Sequence, residues 1–329
     1  GGARHGAAGR RAAGHRAILT MVLDGQQGAS ITAAAQALRA GQLVGLPTET
    51  VYGLAADADN DQAVAQVFAT KGRPADHPLI VHVADASGVD HFASAVPAFA
   101  QALAQAFWPG PLTLILPRRP GHGAAAAGQQ DSIGLRCPAH PVAQALLRAC
   151  LAEGVRGVAA PSANRFGRVS PTTAAHVQGE FGDGLLVLDG GACPVGIEST
   201  IIDCTRGVPV LLRPGAITRA QIASGTLEAH YAPNAKVRLM DAKALQAGLD
   251  LLGADAAHLA VYARTPLRAP SPQVLLRRMP QDAEAAAQEL FAALRAFDDA
   301  GARLVWIELP PATPEWEGVR DRLQRAAAA

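Results

Sequence analysis

Several common ingredients are scarce in this chain of 329 residues. Aromatic residues make up only 4% and charged residues 17%, against 49% hydrophobic residues, so the core must be aliphatic and the chain is too apolar to be disordered. Lys plus Arg (29) and Asp plus Glu (28) nearly cancel. That excludes a global field of the kind that drives non-specific binding to nucleic acid or membranes, and any cationic site has to be local. The four cysteines, Cys137, Cys150, Cys193 and Cys204, are far apart and form no C-x-x-C pair, which argues against a zinc ribbon or a disulfide framework and for reduced thiols in a cytoplasmic protein. No apolar run approaches the ~20 residues needed to span a bilayer. The GxxxxGK[ST] phosphate loop is absent, and the glycines of 121–128 do not lead from a strand into a helix as a dinucleotide fingerprint should.

What is present suggests two domains, since a chain of this length exceeds what one core usually organises. Residues 1–20, rich in Gly, Ala and Arg, superficially suggest a transit peptide or an RNA-binding arm, but they read better as a disordered, over-extended or vector-derived start before Met21. Apolar spacing predicts helices at 31–38, 60–70, 97–107 and 141–151 and strands at 43–46, 79–83, 112–116, 132–136, 157–160, 185–188, 199–203 and 208–212. Their irregular alternation predicts a mixed, twisted sheet flanked by helices over 21–216. The unpatterned stretch 119–130 reads as a flexible loop and a candidate lid. Residues 217–235 form a connector. Strands at 237–240, 258–262 and 304–309 then alternate with helices at 242–251, 281–297 and 314–326, the rhythm of a small Rossmann-like α/β domain over 236–329.

Without a glycine-rich loop, phosphates would have to be held by cationic and hydroxyl side chains. Lys71-Gly72-Arg73-Pro74 offers a point charge and a planar fork within three residues, although a basic pair at a helix end is usually a solvated cap that complements the dipole. Pro161-Ser162-Ala163-Asn164 follows a buried strand and offers hydroxyl and amide groups at the strand's carboxyl end, where open α/β sheets place ligands. Pro47-Thr48-Glu49-Thr50-Val51-Tyr52-Gly53 also follows a buried strand; its Thr and Glu can serve a site or cap a following helix. Arg136, ending another strand, can grip a carboxylate or pair with a surface acid. His77 and His82 share no helical face and have no neighbouring Cys or acid to complete a metal set. No GxSxG elbow supports a hydrolase.

Taken together, PTETVYGL at 47–54, KGRPADHPLIVH at 71–82, PSAN at 161–164, SPT at 170–172 and GIEST at 196–200 resemble the YrdC-like threonylcarbamoyl-AMP synthases. The resemblance runs from about residue 30 to 216, and HYAP at 230–233 before a small α/β domain resembles the family's long, two-domain form. It implies a YrdC-like catalytic fold and a reaction in which L-threonine, bicarbonate and ATP give L-threonylcarbamoyladenylate and pyrophosphate. The product serves tRNA N6-threonylcarbamoyladenosine formation through downstream tRNA threonylcarbamoyl-transfer proteins. By motif position Thr50, His82, Arg136 and Thr200 would bind threonine. Arg73, His77, Ser132, Ala160, Ser162, Asn164, Ser170 and Arg213 would line the ATP site, with Tyr231 reaching back over the nucleotide. Lys71 and Arg73 would neutralise carbamate and phosphate charge, with Mg2+ accompanying ATP. His77 and Ser132 stand where many members carry Asn and Thr. The alternative reading of the same basic residues is a non-catalytic module holding phosphates of tRNA or double-stranded RNA.

Overall fold

The computed structural model describes residues 22–182, 184–217, 233–253 and 256–327. The N-terminal extension and Tyr231, with most of the connector, lie outside the described residues. The first unit runs β1 (Val22–Asp24), α1 (Gly28–Arg39), β2 (Val44–Leu46), β3 (Gly53–Asp57), α2 (Asp61–Lys71), β4 (Ile80–His82), α3 (Val89–Phe92), α4 (Ala98–Phe107), β5 (Leu112–Pro117), β6 (Ser132–Arg136), α5 (Pro141–Ala152), β7 (Val158–Ala159), α6 (Ala174–Phe181), β8 (Leu186–Asp189), β9 (Thr200–Asp203) and β10 (Val210–Arg213). Among the described residues its strands form one ten-stranded mixed sheet in the order β1-β8-β2-β3-β7-β4-β6-β5-β9-β10.

Strand alternation decides what each face carries. On one face Val44, Leu46, Ala55, Val158, Ala160 and Leu188 form an aliphatic core with Ile31, Ala34 and Leu38 of α1 and Val142, Leu146 and Leu147 of α5. On the other face Val81, Leu114, Ile133 and Leu135 pack with Phe92, Val64, Val67 and Phe68. Farther along the first face, across β4, β6, β5 and β9, the aliphatic core gives way to Ile80, His82, Arg136 and Ile201, and a cavity opens.

Local chemistry sets the helix ends. The Asn60 side chain accepts the Ala63 amide at 3.1 Å to start α2, and Gly72, at φ 67°, stops it immediately after Lys71. Strand β3, helix α6 and the later strand 275–278 carry too little periodicity to be expected from sequence. Residues 48–52 lead into β3, so no helix follows them for Thr48 or Glu49 to cap. The 119–130 stretch is not a free lid. Ala126 and Ala127 are fully buried, the Leu79 amide donates to the Ala126 carbonyl at 2.7 Å, and Gly128, at φ +59°, lies so close to Asp76 that an added Cβ would meet its carbonyl oxygen at 2.5 Å.

The second unit runs β11 (Lys236–Met240), α7 (Ala242–Leu252), β12 (Leu259–Ala263), β13 (Leu275–Arg278), α8 (Ala283–Asp299), β14 (Leu304–Glu308) and α9 (Glu317–Ala327). Its parallel sheet has the order β11-β14-β12-β13. Asp241 and Asp282 cap α7 and α8 through the Ala244 and Ala285 amides at 2.7 and 2.8 Å. One hydrophobic cluster joins the two units: Val51, Val169 and Ile197 of the first pack with Leu290, Leu294, Trp316, Val319 and Leu323 of the second. No helix among the described residues is long and apolar enough to cross a membrane.

Candidate active site

The cavity holds about 320 Å³ and is lined by Thr48, Thr50, Arg73, Ile80, His82, Arg136, Ala160, Ser162, Glu198, Ser199, Ile201, Leu212, Arg213 and Arg325 among others. Its floor follows from register. His82 pairs with Arg136, Arg136 with Thr113 and Thr113 with Ile201, one row across four strands. His82 and Arg136 are the last residues of β4 and β6, and Thr48, Thr50 and Ser162 follow β2 and β7, so the site sits at strand ends, as expected from sequence, and spreads from there across a face of the sheet. A register shift between Leu211 and Arg213 breaks the alternation of β10, which places two successive side chains, Leu212 and Arg213, on the cavity.

At one end Arg136 is held on three sides. Its Nη2 lies 2.7 Å from Glu49 Oε1, with both side chains buried, its Nη1 donates to Thr50 Oγ1 at 2.8 Å, and its Nε donates to the Gly110 carbonyl at 3.3 Å. A buried ion pair of this kind adds little net stability but fixes the guanidinium in place. Glu49 is thus an orienting residue, a role its place in the sequence does not reveal. Thr48 Oγ1 donates to the Val51 carbonyl and lies 2.9 Å from Thr50 Oγ1, closing the turn with side-chain hydroxyls. Burial and the neighbouring Arg136 push the His82 imidazole down to about 3, so it is neutral, and its Nδ1 has no hydrogen-bond partner among the described residues.

The basic pair splits. Lys71 is 3% exposed and does not line the cavity; its Nζ donates to the Ser162 and Asn164 carbonyls, both at 2.6 Å, from beneath the PSAN turn. Burial first, and then the Arg73 charge, lower its pKa to about 7. Arg73 does reach the cavity, donating to the Pro78 carbonyl at 3.1 Å with its guanidinium 5.9 Å from the Phe166 ring. His77 packs edge-on to that same ring, 5.6 Å between centroids, outside the cavity lining. Asn164 is buried and donates to the Arg165 and Arg168 carbonyls.

Two expected ligands lie behind the wall. Thr200 is fully buried and its Oγ1 donates to the Ile217 carbonyl at 2.9 Å; alternation turns its neighbours Ser199 and Ile201 to the cavity instead. Ser170, also fully buried, donates to Glu198 Oε1. Ser132 shares the face of Arg136 but stands four residues away on β6, about 13 Å at strand spacing, and it too lies off the cavity lining. Arg213 donates to Ser199 through its carbonyl (2.9 Å) and hydroxyl (3.1 Å).

The second unit reaches the site as well. Arg322 of α9, with a side chain 0% exposed, sits 3.0 Å from Glu198 Oε2 and donates to the Glu198 carbonyl at 2.9 Å and to the Pro214 carbonyl. One helical turn on, Arg325 pairs with Asp321 at 3.1 Å and lines the cavity. Neither is legible in the sequence, where α9 shows only amphipathic spacing. Among the described residues four guanidinium groups, those of Arg73, Arg136, Arg213 and Arg325, thus line a cavity whose one lining carboxylate, Glu198, is already paired. Such a pocket suits a small polyanion beside a polar, hydroxyl-lined corner.

A family model that groups Sua5, YciO and YrdC proteins and is described as Telomere recombination matches residues 36–215. A second, described as Threonylcarbamoyl-AMP synthase, C-terminal domain, matches residues 197–328. The threonylcarbamoyl-AMP synthase of Pyrococcus abyssi is 42% identical over 234 residues, 64% of this chain and 68% of that protein. The Bacillus subtilis synthase is 46% identical over 195 residues, 58% of this chain and 55% of that protein, so the sequence match spans about half the length of this relative. In three dimensions the P. abyssi Sua5 crystal structure in complex with L-threonine superposes with a TM-score of 0.83 and 34% identity, covering 92% of this chain and 95% of that one.

Proposed function

The chain belongs to the Sua5, YciO and YrdC family, and from that premise we propose that it is an enzyme of the nucleotidyltransferase type. It condenses L-threonine, bicarbonate and ATP into L-threonylcarbamoyladenylate and releases pyrophosphate. The observation that carries the reading is the convergence of four arginines on one cavity beside the neutral His82 and the Thr48–Thr50 hydroxyls.

Each chemical demand of the reaction meets a group in the cavity or just behind its wall. Arg136, fixed by Glu49 and Thr50, receives the threonine carboxylate. Thr50, His82 and Ser199 offer hydrogen bonds to its amine and hydroxyl. The amine attacks bicarbonate carbon, water leaves, and the resulting carbamate oxygen attacks the α-phosphorus while the bond to pyrophosphate breaks. No covalent enzyme intermediate is needed. The chain's work is to position the reactants and to neutralise negative charge on the phosphates. Arg73, Arg213 and Ser162 supply that neutralisation and positioning from the walls, with Ala160 giving a small floor beside them. Lys71, holding the Ser162 and Asn164 carbonyls, shapes the same wall from beneath. His77, Ser132, Ser170 and Asn164 do not line the cavity and would support the nucleotide region only from around its walls, and Thr200 supports the threonine end through its neighbours Ser199 and Ile201.

Magnesium accompanying ATP would supply further charge neutralisation. The carboxylates nearest the cavity, Glu49 and Glu198, are engaged by Arg136 and Arg322, so they offer no ready ligand set for it. On the same reading the adenylate passes to tRNA threonylcarbamoyl-transfer proteins and the enzyme works in the cytoplasm. The test is pyrophosphate release by the parent, Arg136→Gln and Arg73→Ala. Release that depends on both threonine and bicarbonate is expected, with the threonine KM raised at least tenfold in Arg136→Gln and kcat/KM for ATP lowered at least tenfold in Arg73→Ala. Release without threonine, or full activity in both variants, would refute the assignment.

A further inference from the structure

A second polar cluster lies on the opposite face of the sheet. Asp59 follows β3, His91 belongs to α3 and His122 to the packed 119–130 segment, yet one ligand atom from each falls within 4.8 Å of the others. His91 Nε2 is 2.6 Å from Asp59 Oδ2, His122 Nδ1 is 3.7 Å from Asp59 Oδ1, and the two imidazole rings are 4.2 Å apart between centroids. The position follows from alternation. His82 and Arg136 face the cavity, whereas Val81 and Ile133 point the other way, onto Phe92 and onto Gly123, where an added Cβ would come within 2.9 Å of Ile133. The cluster therefore shares no side chain with the cavity.

We propose that Asp59, His91 and His122 bind a divalent metal ion of the zinc class, cross-linking three separated segments of the chain behind the catalytic face. The donor set is two imidazoles and one carboxylate, the set that suits zinc and its late first-row neighbours rather than magnesium or calcium. Metal–ligand bonds of about 2.0–2.1 Å in a tetrahedral site put ligand atoms about 3.3 Å apart. His91 and His122 approach opposite oxygens of the Asp59 carboxylate, and one ligand atom from each residue lies within 4.8 Å of the others, so side-chain adjustments of up to about 1.5 Å complete the site, with a fourth position left to solvent or a small ligand. The supports that orient the ligands are also in place. The Gly123 amide donates to Asp59 Oδ1 at 2.9 Å, and Arg118 donates to the His122 and Gln130 carbonyls at 3.2 and 2.8 Å, fixing the loop that carries His122. Arg118 and Arg119 both direct guanidinium nitrogens to backbone carbonyls, Arg119 to that of Asp90 at 2.8 Å.

The test uses the full chain and the metal alone. Co2+ titration of the metal-free parent is expected to give visible ligand-field bands saturating at one equivalent and displaced by Zn2+. His91→Gln and His122→Ala are each expected to raise the Co2+ dissociation constant at least tenfold, while His258→Ala leaves it unchanged. Because the His122 side chain is 36% exposed, its removal should leave the metal-free melting temperature at the parent's value, and Zn2+ should raise that temperature in the parent but not in His122→Ala. Absence of the bands in the parent, or bands of undiminished affinity in both histidine variants, would overturn the proposal.

Discussion

Replacing Arg322 by alanine separates two views of the second unit, as an appendage or as part of the catalytic scaffold. The guanidinium is wholly buried and lies 3.0 Å from a Glu198 carboxylate that is itself 7% exposed. It also donates to the Glu198 and Pro214 carbonyls of the first unit. Truncation removes all of these and leaves Glu198 as a buried carboxylate with the Ser170 hydroxyl as its remaining side-chain donor among the described residues. Removing one partner of a buried pair costs about 3–5 kcal/mol, a large part of the ~5–15 kcal/mol that holds a typical domain. Urea melts followed by far-UV circular dichroism measure it directly. The double variant Glu198→Gln with Arg322→Met removes both charges, keeps an acceptor for Ser170, and is expected to recover most of the loss. A loss below about 1 kcal/mol for Arg322→Ala would refute the reasoning that this arginine neutralises a buried acid.

Three further outcomes are expected. Lys71 binds its proton more weakly in the fold, with a pKa of about 7, than in the unfolded chain, at about 10.4. Its contribution therefore makes stability rise with pH through that window and fall as pH drops toward 7, by about 1.4 kcal/mol per unit; urea melts at pH 7, 8 and 9 should show this slope in the parent and not in Lys71→Met, and coincident slopes would disprove it. The four cysteines are buried and burial raises every one of their pKa values, those of Cys150, Cys193 and Cys204 to about 12, so a thiol reagent should titrate four groups in denaturant and none in the native protein within minutes. Gly128→Ala places a Cβ against the Asp76 carbonyl from a left-handed backbone; thermal melts should show a destabilisation of at least 1 kcal/mol, and an unchanged melting temperature would mean that the 119–130 segment is not packed as described.

Most of the fold is legible wherever apolar spacing is regular: α8, with Leu290, Phe291, Leu294 and Phe297 on one face, and β5 and β6 with their flanking turns. It is not legible in β3, where GLAAD has no alternation and three of five residues are Gly or Ala, because small residues buried on both faces leave no period to read. At the site, the Thr50, His82 and Arg136 corner was visible as separate strand ends and turns; what sequence could not supply is that β4, β6, β5 and β9 bring these residues into one row. The two-residue periodicity also decides where Thr200 points: the one-residue step from Ser199 to Thr200, at the start of β9, exchanges a wall residue for a support. Glu49, Arg322 and Arg325 act through long-range pairing, which leaves no local pattern at all.

The row formed by His82, Arg136, Thr113 and Ile201 has a mechanical consequence. Every strand beneath it is hydrogen-bonded on both sides, so none has a free margin along which to hinge. The floor then acts as a gauge of fixed spacing. Accommodation of substrates that differ in size from threonine to the adenylate falls to the walls, namely the PSAN turn over Lys71, the bulge at Leu212 and the last helix carrying Arg325.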